Sequence, residues 1–239
     1  MEIVCEREKL SDVLHGVCNV LEEPDIEFRP DGMLIAQMVD FASLVAVMVP
    51  KESFSSYSVK GDVPEIYCIN LKKLLSHLDV CKESVVAMTV QNDKLMVLMG
   101  KKKYTQTIKV ADMSKRSKTP KFVATAKVIV AQDELVAALQ DVKACMGKVR
   151  VAMQIKDRVL HFVPDEEDGY EADIEVMSKS VEGPDLKVKF AMDLLADGFR
   201  YFPSDDVMVE LGDGMPVRMS SISEFAQFTY MVGPIVEPV

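Results

Sequence analysis

The 239-residue sequence has no glycine-rich phosphate loop, no His-Glu-x-x-His pattern, no nucleophile elbow and no cysteine pair at zinc spacing. Those absences remove the common routes to phosphoryl transfer, metal-assisted hydrolysis and acyl transfer. Its three histidines, His15, His77 and His161, are scattered along the chain, and His161 sits between Leu160 and Phe162, where a packed or surface imidazole is expected. Neither an enzyme nor a cofactor or metal is expected. The acidic run Asp165-Glu166-Glu167-Asp168-Gly169 lacks the spaced ligands of a calcium loop and reads as a solvated hairpin. No stretch approaches the roughly 18 to 20 apolar residues that cross a membrane. The opening Met-Glu-Ile-Val-Cys-Glu also lacks a basic region followed by an apolar one. An intracellular protein without a membrane partner is expected. The five cysteines, Cys5, Cys18, Cys68, Cys81 and Cys145, are odd in number and widely spaced, so buried free thiols are the expectation.

What is present is enough apolar sequence for one core or two small ones. Hydrophobic residues make up 49% and charged residues 28%, a balance that argues against disorder. Sixteen methionines suit adaptable core packing. The net charge of -10 is uneven: residues 101–121 carry seven lysines and Arg116 against Asp112 alone. The remainder is strongly acidic and would be repelled by polyphosphate, so contact with nucleic acid must be local.

The chain reads as two copies of one module. Lys9 to Leu21 places Leu10, Val13, Leu14, Val17, Cys18 and Leu21 on one helical stripe, and Asp133 to Met146 does the same with Leu135, Ala138, Leu139, Val142 and Met146. Each is followed by a hairpin, turning at Arg29-Pro30-Asp31-Gly32 and at Lys156-Asp157-Arg158. A second helix follows in each half, over Asn70 to Leu78 and Met192 to Tyr201. Strand-like alternation fills the rest, with turns at Gln91-Asn92-Asp93 and Gly212-Asp213-Gly214. Few helices and many antiparallel strands predict an α+β fold, two repeated modules of antiparallel sheets with helices on one face. The predicted division is a first module over 1–110, a connecting linker over 111–126 that contains Pro120, and a second module over 127–239.

Three strings then carry a resemblance: Asp31 to Val45 with its apolar-Asp corner, Ile69-Asn70-Leu71-Lys72-Lys73-Leu74-Leu75, and Tyr230-Met231-Val232-Gly233-Pro234-Ile235-Val236-Glu237. In order and spacing they resemble the trimeric DNA sliding clamps of archaea and eukaryotes, the proliferating cell nuclear antigen family. The resemblance covers essentially the whole chain. It implies a processivity factor, a homotrimeric ring of six modules whose helices line a hole threaded by double-stranded DNA. The implied partners are DNA polymerase and other replication and repair clients bearing a clamp-interacting peptide, and a clamp loader. A subunit of a mixed-paralogue ring or a damage-signalling clamp is the alternative. The tail and the lack of long insertions tilt the expectation towards an archaeal, cytoplasmic protein, nuclear if eukaryotic.

The resemblance also assigns residues. Lys9, Lys72, Lys73, Lys143 and Arg200 would face DNA, with partial charge from His15 and His77; taken singly, each lysine equally suits a solvated helix face. Ser76 and the acidic Asp193 and Asp197 depart from a strongly positive lining. Lys101 to Lys103 would be either additional DNA contacts or an exposed turn. The client-peptide pocket would use Val39, Ser43, Leu44, Ala46, Pro120, Phe122, Tyr230, Val232, Gly233 and Pro234. A linker carrying Lys115, Arg116 and Lys118 would favour clients with acidic residues beside their anchors. Subunits would join edge to edge through Tyr104, Ile108 and Val110 of one copy and Ile174 and Val176 of the next.

Overall fold

A computed structural model of the chain describes residues 1–39, 42–59, 61, 63–111, 122–146, 150–164, 173–199, 202 and 206–235. Two compact units result: residues 1–39, 45–111 and 222–228 group in the first, and 42–44, 122–221 and 229–235 in the second. Pro120, the three basic linker residues, the acidic run at 165–168 and Arg200 lie outside the described residues.

In chain order the first unit contains β1 (Glu2–Glu6), α1 (Arg7–Cys18), β2 (Asp25–Arg29), β3 (Gly32–Val39), β4 (Ser43–Pro50), β5 (Ser56–Ser58) and β6 (Glu65–Cys68). It continues with α2 (Leu71–Leu78), β7 (Val85–Gln91), β8 (Lys94–Met99), β9 (Lys102–Thr107) and β10 (Lys109–Val110). One sheet runs β5-β1-β7-β8-β9 and the other β10-β6-β2-β3-β4. The second unit contains β11 (Ala126–Ala131), α3 (Gln132–Met146), β12 (Arg150–Lys156), β13 (Val159–Pro164), β14 (Ile174–Val176) and β15 (Ser178–Glu182). β16 (Leu186–Ala191), α4 (Met192–Phe199), β17 (Asp206–Leu211), β18 (Val217–Ile222) and β19 (Gln227–Val232) complete it. Its sheets run β15-β11-β17-β18-β19 and β16-β12-β13-β14, the same wiring as in the first unit. The registers agree: β1 pairs antiparallel with β5 and β7, and β11 with β15 and β17. The duplication read from the sequence is therefore a duplication of topology.

Each helix forms because its apolar stripe has a core to enter. Leu10, Val13, Leu14 and Val17 of α1 and Leu71, Leu74, Leu75 and Leu78 of α2 are buried, as are Leu135, Ala138, Leu139 and Val142 of α3. At about 2 kcal/mol per buried aliphatic side chain, tertiary burial rather than intrinsic propensity holds these short helices. Asn70 starts α2 by accepting a hydrogen bond from the Lys73 backbone N–H at 2.9 Å. The turns follow from their residues too: Asn92 and Asp93, and Asp157 and Arg158, all take positive φ, the geometry a tight two-residue hairpin requires. Gly32 has φ +146° and sits so close to β4 that a Cβ there would lie 2.2 Å from the Val49 carbonyl oxygen.

Several boundaries differ from the sequence expectation. α1 begins at Arg7 rather than Lys9, because Arg7 reaches the Leu78 carbonyl at the end of α2 with Nη1 at 3.2 Å and the Glu83 carbonyl with Nε at 3.0 Å. Tyr104, Ile108 and Val110, which the sequence groups on one edge, fall on β9, between the strands and on β10, and β9 and β10 join different sheets. The cysteine expectation holds for Cys5 and Cys81, which are buried free thiols, whereas Cys18 and Cys68 are half-exposed. Burial, reinforced by the adjacent Glu6 carboxylate, pushes the Cys5 thiol up to about 12. Thiol reagents at neutral pH are expected to label Cys18 and Cys68 and to leave Cys5 unmodified until the protein unfolds, as mass spectrometry would read.

Candidate functional site

Helices α1 and α2 pack together in the first unit, tied at their ends by Asp79, which accepts a hydrogen bond from Ser11 Oγ at 3.0 Å and lies 3.0 Å from His15 Nε2. On their solvent sides the lysines differ in circumstance. Lys9 is held by Glu6 at 3.1 Å and Lys72 by Glu22 at 2.7 Å. The Glu22 carboxylate raises the Lys72 pKa, mainly through that hydrogen bond. Lys73 is exposed and has no ion-pair partner among the described residues. A lysine already neutralised by a carboxylate releases less counterion on meeting a phosphate, so Lys73 is the stronger candidate.

Beside Lys73, α2 and the β9 edge frame an open polar groove of about 560 Å³ that includes Asn70, Ser76, His77, Gln106 and Lys109. The His77 ring stacks on Tyr104 with centroids 4.1 Å apart and planes at 18°. His77 is half-buried by this contact and joins α2 to the edge strand.

In the second unit α3 and α4 pack together in the same way. Lys143 is exposed on α3 without an ion-pair partner among the described residues. The acids Asp133, Glu134 and Asp141 share that helix, and Asp193 and Asp197 stand on α4. Among the described helices only α2 carries an excess of positive charge.

The tail segment is fixed by backbone bonds. Gly233 N–H donates to the Ala42 carbonyl at 2.8 Å, and Ile235 N–H donates to the Lys189 carbonyl at 2.9 Å. Tyr230 and Val232, from β19, are fully buried, and the Tyr230 ring lies where a Cβ on Gly198 would be 2.4 Å away. Ser43 and Leu44 are also buried, while Gly233, Pro234 and Phe122 in this unit are half-buried and keep surface to offer. Val39 and Ala46, in the first unit, are half-buried. Three members of this region have no mark in the sequence. Ala42 and Ile235 act through main-chain atoms, which leave no residue-type signal. Arg218 places its guanidinium 4.5 Å from the Phe122 ring centroid while its Nε donates to Glu210 at 2.5 Å. Ninety-odd residues separate Phe122 from Arg218, so no local pattern announces the pair.

Among the described residues, strands β9 and β14 are sheet edges, hydrogen-bonded to β8 and β13 respectively. Tyr104 and Ile174 are half-buried on the core-facing sides, Ile108 and Val176 are buried, and Val110 pairs by its backbone with Tyr67. Among the described residues no group of three or more His, Cys, Asp or Glu side chains could hold a metal ion. No described helix is long and apolar enough to cross a membrane.

No family model matches the sequence. A curated protein of Pyrobaculum aerophilum, DNA polymerase sliding clamp 1, is 25% identical over 237 residues, covering 94% of each chain. Among solved structures, A. fulgidus PCNA bound to the C-terminal region of FEN-1 superposes with TM-score 0.82 at 18% identity, covering 100% of this chain and 99% of that one. The PCNA2–PCNA3 complex of Sulfolobus tokodaii gives TM-score 0.80 at 14% identity, covering 99% and 100%. These likenesses span whole chains rather than a shared module.

Proposed function

We infer that this chain is a DNA sliding clamp of the archaeal and eukaryotic proliferating cell nuclear antigen family, a processivity factor that encircles duplex DNA as a ring and tethers DNA polymerase and other replication and repair proteins. The observation that carries this reading is the duplicated wiring, two sheets and two paired helices per unit, in a chain that aligns end to end with a curated sliding clamp. A ring needs little intrinsic affinity for DNA, since the topological link does the holding, and the net negative charge of the chain suits a protein that must not adhere. It is a tether rather than a catalyst, and it acts on DNA inside the cell, in the cytoplasm if the source is archaeal.

The residue assignments follow from that function. Lys73 and Lys143 supply the main contacts to passing phosphates and Lys9 and Lys72 lesser ones; His77 and Arg200 are further DNA-facing positions. Clients anchor an extended peptide on Val39, Ser43, Leu44, Ala46, Pro120, Phe122, Tyr230, Val232, Gly233 and Pro234, the positions that the family resemblance assigns to peptide anchors. The half-buried Phe122, Gly233 and Pro234 present the accessible part. The S. tokodaii complex joins two different clamp chains, and the free β9 and β14 edges of this chain suit head-to-tail joining of either like or unlike copies.

Two outcomes test this. On primed circular DNA with a matching loader and polymerase, the chain lengthens products, and equal product length with and without it would refute the reading. In binding to duplex DNA, Lys73→Gln with Lys143→Gln lowers the slope of log affinity against log salt by about 0.9 for each phosphate that is no longer neutralised. Lys9→Gln with Lys72→Gln changes that slope less, because Glu6 and Glu22 already hold those charges.

A further inference from the structure

Phe122 stands where the connecting segment reaches the second unit, ahead of β11 and outside every described strand. A half-buried aromatic ring in such a segment has no sheet to fix it, so its position depends on what it rests against. Main-chain contacts secure the residues that follow. Thr125 N–H donates to the Leu211 carbonyl at 2.9 Å, and the Val123 carbonyl oxygen packs so near Gly212 that a Cβ there would lie 2.4 Å from it. The ring itself rests on a cation: the Arg218 guanidinium carbon lies over it, 4.5 Å from the centroid.

Arg218 is in turn fixed from the sheet. Val217 and Met219 are fully buried, so alternation along β18 sends Arg218 to the outer face. There it stands opposite Glu210 of β17, and Glu210 stands opposite Lys127 of β11. Glu210 is 2% exposed and accepts from Arg218 Nε at 2.5 Å, a directed bond that orients the guanidinium. A buried carboxylate and its partner contribute little net stability compared with two packed apolar residues, because desolvation offsets their attraction. What the pair does supply is orientation. A planar guanidinium anchored at Nε is held over the Phe122 ring, which an ammonium on a flexible stem would not reproduce.

We propose that Arg218 is a positioning residue for client binding: anchored on Glu210, it holds the Phe122 ring in place, so that an apolar side chain of the client peptide meets a ring already ordered. The use of Phe122 by clients rests on the clamp reading; the chain of contacts from Glu210 through Arg218 to Phe122 is the new content. Affinity gained this way comes from order that the free protein already has, and not from a contact between Arg218 and the client.

A double-mutant cycle on the full chain tests this, with a synthetic extended peptide carrying one aliphatic and two aromatic anchors as the probe. Arg218→Lys keeps a cation for Glu210 and loses the planar group over the ring; peptide affinity falls about two- to fivefold, the range of a cation–ring contact at a partly exposed site. Phe122→Leu keeps an apolar side chain, loses the ring and lowers affinity by a similar factor. The two together lower it no further than the stronger single. Losses that multiply, or an Arg218→Lys variant that binds as tightly as the wild type, overturn the proposal. A second readout needs no client. The sequence has no tryptophan, so Phe122→Trp introduces a single reporter. Adding Arg218→Lys moves its emission to longer wavelength and raises its quenching by acrylamide; unchanged emission and quenching contradict the positioning role. Circular dichroism checks that the variants fold. A wild type that binds no such peptide removes the client reading together with the proposal, whereas binding that ignores Arg218 removes the proposal alone.

Discussion

Gly32→Ala is expected to destabilise the first unit by about 3 kcal/mol or more, the sum of an unfavourable positive φ and a steric overlap. The added Cβ would lie 2.2 Å from the Val49 carbonyl oxygen and 3.0 Å from the Pro50 Cα, and both neighbours are backbone. Neither can move without disturbing the β3–β4 junction, where Tyr57 Oη also donates to the Gly32 carbonyl at 2.7 Å. The opposing effect is the smaller unfolded-state entropy of alanine, worth about 0.4 to 1 kcal/mol, and it is the weaker of the two. Denaturant unfolding would show a lower midpoint with an unchanged slope. A neutral or stabilising result would mean that the turn can relax, and the strand spacing described above would be wrong.

Arg218→Leu is expected to cost the second unit about 3 kcal/mol, because it leaves a buried carboxylate without its principal partner. The Glu210 side chain is only 2% exposed and accepts from Arg218 Nε at 2.5 Å, while Lys127 stands off at 3.8 Å and is itself half in solvent. Lys127 softens the loss without replacing a directed hydrogen bond. Adding Glu210→Leu to Arg218→Leu should recover all but about 1 kcal/mol, since two well-packed apolar residues avoid the desolvation of the pair. The Phe122 ring would still lose its cationic cover, worth about 0.5 to 1 kcal/mol at a partly exposed site. Affinity for a client peptide, measured in the folded double variant, should therefore stay reduced after stability is restored. If both recover together, Phe122 does not depend on Arg218.

Much of the fold is legible in the sequence because its determinants are local. Leu10, Val13, Leu14 and Val17 repeat at helical spacing, and the positive-φ pairs at Asn92-Asp93 and Asp157-Arg158 fall where turn residues predict them. β1 is not, although Ile3 and Cys5 alternate with Glu2, Val4 and Glu6; five residues are too few for alternation to stand out, and only its equivalence to β11 reveals it. The break between β9 and β10 has no sequence mark, because Ile108 continues the apolar pattern while its strand neighbours change.

The candidate site is legible where family resemblance names positions and opaque where long-range contacts decide. Lys9, Lys72 and Lys73 look equivalent in sequence; Glu6 and Glu22 separate them in space. Of the positions that the resemblance assigns to the pocket, Tyr230 and Val232 are fully buried, while Gly233 and Pro234 are half-buried, a difference that the sequence does not mark.

The central claim is that the protein holds DNA by encirclement, and release on linearisation measures that most directly. After loading onto a nicked circular duplex and removal of the loader, the chain should remain on the circle at moderate salt and leave within minutes once a restriction enzyme opens it. Loss at the same rate from circular and linearised DNA would mean that it binds as a surface, and the account would fail.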